Sequence, residues 1–229
     1  MIPIRDNVRG SDPSRVTTTL VVLNVIVYLW DRGGRFFGEG VIFSDLYLRP
    51  AEFLSALSGK GDATSLVTIF TSMFLHGSIW HLITNVTFLL AFGDNVERVL
   101  GPVRYTLYYL FWGFVAMAAH IYVMPSSMVP TLGASGAIGG VLGAYFLIFP
   151  SNVIRFWLLP LVFFDFKVRA WVLLAAWFLL QIFWQQEGVA NWAHVGGFAA
   201  GMLTVLIMGG REKVLQGIKL EREEVEVDL

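Results

Sequence analysis

Hydrophobic residues occur along this chain in six long runs, which polar and charged residues separate. The runs are too long for the strands of a membrane barrel, and they lack the alternation of apolar and polar positions that such strands show. We therefore predict six helices, over residues 17–31, 79–98, 103–124, 135–149, 168–184 and 191–209. This pattern predicts an all-α membrane protein that folds as a bundle of six transmembrane helices.

Charged residues are missing from most of these runs. Residues 105–154 contain no Asp, Glu, Lys or Arg, and the same is true of 63–93, 170–186 and 188–210. Such stretches are typical of lipid-embedded segments, because a charge inside the bilayer is costly. The composition agrees, since 56% of the 229 residues are hydrophobic and 14% are charged, with a mean hydropathy of +0.66.

The segments outside the runs divide the chain further. Residues 32–78 carry mixed charge and several aromatic side chains, which predicts a long loop on the membrane interface with short helices of its own. Residues 211–229 are rich in charge. We therefore predict one membrane domain over 1–210 and a charged cytoplasmic tail over 211–229.

Lys and Arg residues cluster on one side of the predicted membrane. Twelve of the 16 basic residues lie before the first run, after the sixth, or in or beside the connections that follow the second and fourth. By the positive-inside rule, both termini are cytoplasmic. The second, fourth and sixth helices then begin at the outer face, and their outer ends carry unexpected polar residues at similar depth: His81, Asn85, Ser135 and His194.

Ser135 lies in the glycine-rich stretch TLGASGAIGG, where the fourth run begins. A helix over 135–149 is roughly 22 Å long, shorter than a hydrocarbon core of about 30 Å. One end is therefore recessed, and Pro150 marks the inner end. This predicts a water-filled cavity that opens outward, with Ser135 on its floor.

His194 lies in NWAHVGGFAAG and is the predicted general base for Ser135. Small residues four apart let two helices approach closely. The fourth and sixth runs each carry such a pattern, formed by Gly136 with Gly140 and by Gly197 with Gly201. Close packing there would bring Ser135 and His194 within hydrogen-bond reach. Since no Asp or Glu shares their depth in a helix, we predict a dyad rather than a triad.

An acyl-transfer site also needs hydrogen-bond donors for the developing oxyanion. His81 and Asn85 are four residues apart and share one helical face. Together with the Ser135 amide at the start of the fourth helix, they are the predicted donors. We expect no metal or other cofactor and no nucleic-acid partner; the absence of cysteine excludes thiolate ligands and a cysteine nucleophile.

Each of these residues also has an ordinary structural explanation. A serine at a glycine-rich helix start is usually a cap or a packing residue, and a lone histidine near a membrane surface is usually interfacial. His81 and Asn85 could hydrogen-bond between helices. The convergence of all four residues at one depth favours the catalytic interpretation.

Three spaced motifs, HLITN, GASGAIGG and AHVGGFAAG, resemble those of rhomboid intramembrane serine proteases, over about residues 60–209. The resemblance implies that Ser135 is the nucleophile and His194 the base, and that His81, Asn85 and the Ser135 amide bind the oxyanion. It also implies a single-span membrane protein as substrate, which enters between the second and fifth helices and is cut near the outer face.

Two positions differ from the family pattern. Val67 and Thr68 stand where rhomboids often have a Trp-Arg pair, so we expect the anchoring of the first loop to differ. Gly139 stands where some bacterial members have a tyrosine that packs on the catalytic histidine. We therefore expect another residue to hold His194.

The favoured function is an intramembrane serine endopeptidase, and the compact six-helix form indicates, by analogy, a prokaryotic plasma membrane. Two non-catalytic functions compete with it. A transporter would usually show internal repeats, and this chain shows none. A rhomboid-like binding module would need neither Ser135 nor His194.

Overall fold

The computed structural model describes residues 2–5, 8–9, 14–37, 42–158, 161–185, 188–216, 218 and 221–222. These residues are mostly helical, which confirms the prediction at that level. The helices are α1 (Arg15–Asp31), α2 (Pro50–Leu57), α3 (Thr68–Thr71), α4 (Ile79–Phe88), α5 (Asp94–Leu100), α6 (Pro102–Val123), α7 (Ser135–Ile148), α8 (Ala170–Phe183), α9 (Asn191–Ile207) and α10 (Gly210–Leu215).

Each of the six hydrophobic runs contains a helix. The second run is one continuous element, because a π-helical turn at Leu89–Gly93 joins α4 to α5. Helix α8 begins at Ala170 rather than at 168, because a strand continues to Arg169. The long first loop contains α2, α3 and three short 3₁₀ turns.

Strands are the part of the fold that the prediction of helices alone missed. Antiparallel strands β3 (Val153–Leu158) and β4 (Leu161–Arg169) form a hairpin between α7 and α8, and β1 (Ile2–Arg5) pairs with β3. Strand β2 (Val8–Arg9) pairs with β5 (Glu221–Arg222). The tail predicted for 211–229 therefore contains part of α10 and strand β5, while 223–229 lie outside the described residues.

Helix α7 is the centre of the molecule. Eleven of its 14 residues are buried, against two of the 14 in α8. Glycines bring α9 into backbone contact with it: a Cβ on Gly197 or Gly201 would overlap the carbonyl oxygen of Gly136 or Gly140, respectively. This close approach fixes where α9 sits relative to the first turn of α7.

Helix α6 closes the other side of α7 and α9. The indole of Trp112 packs against Gly140, where a Cβ would overlap it. The Trp112 Nε1–H donates a hydrogen bond of 2.9 Å to Thr204 Oγ1 on α9. Since the indole N–H is buried, this bond satisfies a donor that would otherwise be costly.

Glu97 on α5 caps the first turn of α1. Its Oε1 accepts the amide of Val16 at 2.8 Å and its Oε2 accepts that of Thr17 at 2.7 Å, whereas the side chain of the N-cap residue Ser14 makes no capping bond. The carboxylate is 4% exposed. It satisfies two free amides and complements the positive end of the helix dipole.

Replacing Glu97 by alanine is expected to destabilise the fold by about 2–4 kcal/mol, because one buried and one partly buried amide lose a charged acceptor. The measurement is thermal unfolding of the purified protein in detergent. Glu52→Ala is the matched control, because Glu52 is partly exposed and, among the described residues, its ion pair is with Arg49 across one helical turn. An equal change in Tm for both variants would contradict the capping role.

A buried ion pair anchors the first loop. Arg32 donates to Asp31 Oδ2 at 3.3 Å and to the His76 carbonyl at 2.8 Å, and its guanidinium lies 4.0 Å from the centre of the Tyr28 ring. Asp31 Oδ1 accepts the Phe43 amide at 2.9 Å. The end of α1 is thereby joined to the loop at Phe43 and His76 rather than at Val67 and Thr68.

Apolar side chains cover much of the outer surface. Among the described residues, α6 has the length and composition to cross a membrane. The helical segments Ala63–Phe74 and Ile79–Leu100, which meet at a 71° bend, have that length and composition when they are taken together. Helices α7, α8 and α9 are apolar but shorter. Monomeric soluble proteins rarely expose such extensive apolar surface. Exposed examples are Trp30, Val103, Leu107, Phe111, Phe183, Leu206 and Ile207.

Candidate active site

Ser135 is the first residue of α7, and its side chain faces His194 on α9. The distance from Ser135 Oγ to His194 Nε2 is 2.7 Å. Both side chains are half-buried. The N-cap residue of α7 is Ala134, so Ser135 lies one position inside the helix and does not occupy the capping position. The pair can transfer a proton from oxygen to nitrogen.

The chain enters α7 through Gly133, in a conformation that only glycine adopts readily. Its φ is +121°, and its amide donates to the Ser72 carbonyl at 2.9 Å. A Cβ at this position would lie 2.6 Å from His81 Nε2 and 3.6 Å from Asn85 Nδ2. Glycine therefore allows the backbone before Ser135 to pass directly beside both side chains.

The N-cap of α4 sets the positions of His81 and Asn85. Ser78 Oγ accepts the amide of His81 at 3.1 Å, so the helix begins at Ile79 and its next turn carries Asn85. Asn85 is 6% exposed, and its Nδ2 has no hydrogen-bond partner among the residues that the structure describes. An unpaired buried donor is costly unless a ligand or water uses it.

These side chains line one cavity of about 360 Å³. The structure thus brings together the four polar residues that the sequence placed at one depth. Apolar side chains form most of the remaining wall. A few convergent polar groups in an otherwise apolar wall are typical of small-molecule and substrate sites. The lining includes His81, Asn85, Ser135, His194, Phe88, Leu142 and Trp177.

The surroundings of His194 explain the glycine at position 139. A Cβ on Gly139 would lie 2.9 Å from the His194 carbonyl oxygen, so a larger side chain cannot fit between α7 and α9 there. Helix α8 supplies the packing instead. The Trp177 ring lies 5.7 Å from the imidazole, centre to centre, with the planes 34° apart.

Gln181, also on α8, is a site residue that the sequence reasoning missed. Its Oε1 lies 2.7 Å from His194 Nδ1. Asn191 Nδ2 donates to the same oxygen at 3.0 Å. A signal was present, because Gln181 is the single amide side chain within the otherwise apolar sequence of α8.

The other titratable residues do not complete a triad within the described part of the chain. Asp94 pairs with Arg98 at 2.8 Å, and Glu97 caps α1. Glu187, which the sequence placed near the outer face, lies outside the described residues. His120 is buried beside a second cavity that also touches His81.

Comparison with known protein families matches residues 63–211 to the Rhomboid domain. The chain belongs to the rhomboid family. The match covers well over half of the chain and includes His81, Asn85, Ser135 and His194. It confirms the resemblance that the three motifs carried, and it makes the protein a member of a membrane-embedded family that includes serine proteases.

Individual rhomboids show the same similarity. Rhomboid protein 1, mitochondrial, of Saccharomyces cerevisiae is 30% identical over 155 residues, which is 63% of this chain and 42% of the yeast protein. Rhomboid protease GluP of Bacillus subtilis is 31% identical over 141 residues, which is 62% of this chain and 26% of GluP. The matched region therefore spans less than half of the length of these relatives.

Proposed function

We propose that this rhomboid is an intramembrane serine endopeptidase that cleaves single-span transmembrane proteins near the outer membrane face. The observation that carries the proposal is the 2.7 Å contact between Ser135 Oγ and His194 Nε2, at the edge of a cavity in an apolar helical core. A serine–histidine pair at hydrogen-bond distance is the arrangement that activates a hydroxyl for attack on a carbonyl.

The chemistry follows from the positions of the side chains. His194 Nε2 takes the Ser135 proton as the hydroxyl oxygen attacks the scissile carbonyl carbon. The protonated imidazole then gives that proton to the leaving amine, and an acyl group remains on Ser135. Water in the cavity loses a proton to His194, attacks the ester and releases the second product.

The oxyanion site is formed by donors on two helices. The unpaired Nδ2 of Asn85 and the His81 ring reach the cavity from α4, and the Ser135 amide lies at the start of α7. The first amides of a helix lack intrahelical partners. Donors that are already in place when charge develops lower the barrier without reorganisation.

Asn85→Ala is expected to lower kcat about 10²–10³-fold with little change in KM, because one oxyanion donor is lost. The measurement is steady-state cleavage of a reconstituted substrate. Thr87→Ala is the control on the same helix, because the Thr87 hydroxyl donates only to the Ile83 carbonyl. A higher KM with unchanged kcat would contradict the oxyanion role for Asn85.

Substrate access would involve α8. This helix buries only Ala170 and Leu174, so it packs more loosely than α7. We propose that six helices cross the membrane, that both termini are cytoplasmic, and that the substrate enters between α4 and α8. The proposed location is a prokaryotic plasma membrane, and the relatives named above include both a bacterial and a mitochondrial protein.

The competing function is a rhomboid-like module that binds membrane proteins without cutting them. The test is to reconstitute the protein with a panel of single-span substrates and to analyse the products by mass spectrometry. We expect fragments cut near the outer end of the span, and none with Ser135→Ala. Capture of substrates without fragments, by protein that melts cooperatively, would favour the binding module.

A further inference from the structure

The tautomer of the His194 ring decides whether the dyad can work. Neutral imidazole carries one proton, and Nε2 accepts the Ser135 proton only when that proton sits on Nδ1. The reverse tautomer would point an N–H at the serine oxygen and leave no base. Something near Nδ1 must therefore accept a hydrogen bond.

Gln181 Oε1 is the atom in that position, 2.7 Å from His194 Nδ1. An amide could also present its NH₂ group, since oxygen and nitrogen look alike in outline. The far side of the amide resolves the choice. Gln181 Nε2 lies 3.4 Å from the Trp177 carbonyl, and a carbonyl can only accept. The nitrogen therefore faces Trp177, and the oxygen faces the histidine.

Asn191 reinforces the same orientation. Its Nδ2 donates to Gln181 Oε1 at 3.0 Å, and Asn191 is 3% exposed on the first turn of α9. The Gln181 oxygen thus accepts from two donors on α9, one on the catalytic histidine and one on Asn191. Both bonds agree with a proton on His194 Nδ1.

We propose that Gln181 is a positioning residue that holds His194 in the Nδ1–H tautomer, in the place that a carboxylate occupies in a triad. This inference rests on the proposed protease function. It differs from a triad in one respect, because a neutral amide orients the ring but does not stabilise the imidazolium by charge. The acceptor comes from α8, so the dyad is complete only when α8 is seated against α9.

Gln181→Met tests the proposal by removing the acceptor while keeping side-chain length. We expect kcat to fall about 10- to 100-fold, the effect of losing one hydrogen bond to a group that becomes charged, with KM unchanged. ¹⁵N NMR of histidine-labelled protein should show His194 protonated at Nδ1 in the unsubstituted protein and a mixture of tautomers in the variant. Gln185→Met is the matched control, because Gln185 bonds the backbone of α8 and not His194.

Gln181→Glu supplies a second readout. A carboxylate restores the acceptor, so we expect activity well above that of Gln181→Met. The negative charge of the carboxylate also favours the protonated form of the His194 imidazole. Because the base must be neutral to act, cleavage by this variant should be lost at a higher pH on the acid side than cleavage by the unsubstituted protein.

The two proposals fail in different ways. Absence of cleavage by the unsubstituted protein would overturn the protease function, while the NMR signal would still report the tautomer. Unchanged kcat and an unchanged Nδ1–H signal in Gln181→Met would overturn the positioning role alone. A loss of kcat that only follows a lower Tm, with the tautomer unchanged, would also overturn it.

Discussion

Replacing either Ser135 or His194 by alanine is expected to lower kcat/KM for a single-span substrate by at least ~10⁴-fold, and replacing both should cost no more than replacing one. The two side chains act as a unit, because the 2.7 Å contact passes the proton that makes the serine nucleophilic. The measurement is the initial rate of cleavage in proteoliposomes for both single variants and the double variant.

Ser126→Ala is the matched control for the serine. Ser126 is exposed in the connection between α6 and α7 and should leave the rate unchanged. Additive losses in the double variant would contradict the dyad, because they would mean that the two residues contribute independently. Retention of cleavage by Ser135→Ala would contradict the choice of nucleophile.

Gly201→Ala is expected to destabilise the protein by about 3 kcal/mol or more, although it adds only one methyl group. A Cβ at this position would overlap the Gly140 carbonyl oxygen and approach the Ala144 amide nitrogen to 2.9 Å. Backbone atoms cannot rotate away as a side-chain end can. The two helices must therefore separate, and Ser135 and His194 lie on those same helices.

Thermal unfolding in detergent measures this effect. Gly77→Ala is the control, because a Cβ there meets nothing within 4 Å. We expect a large fall in Tm for Gly201→Ala and little change for Gly77→Ala. Equal Tm values for the two variants would mean that the contact between α7 and α9 tolerates a wider spacing than the structure has.

The helices and the four polar residues could be predicted because they follow from one-dimensional signals. Long uncharged runs mark helices, and the distribution of Lys and Arg orients them. Orientation alone placed His81, Asn85, Ser135 and His194 at one depth. The glycine patterns further indicated that two of the helices approach closely, which the structure has as backbone contact between α7 and α9.

The partner of His194 could not be predicted because it depends on rotation rather than depth. Gln181 and Trp177 are four residues apart on α8 and face α9 together. The single amide in the sequence of α8 marks Gln181 as unusual, but the apolar residues around it do not show that this side of the helix faces α9. The structure also gives the physical reason for Gly139: α9 approaches α7 so closely there that a side chain would not fit.

The hairpin of β3 and β4 was missed for a different reason. Its strands are short apolar runs that contain Arg155 and Lys167, which the sequence reasoning treated only as markers of the cytoplasmic side. Short apolar runs do not distinguish strand from helix by periodicity. Pairing with β1, at the far N-terminal end of the chain, is a long-range contact that local pattern does not show.

Covalent labelling by a fluorophosphonate tests the central claim most directly, because the reagent reacts with a serine only when a base activates it. Intact-mass and peptide analysis should find one adduct, on Ser135, which is lost in Ser135→Ala and His194→Ala and kept in Ser126→Ala. Failure of the folded protein to react, or an adduct on another serine that survives His194→Ala, would contradict the Ser135–His194 dyad.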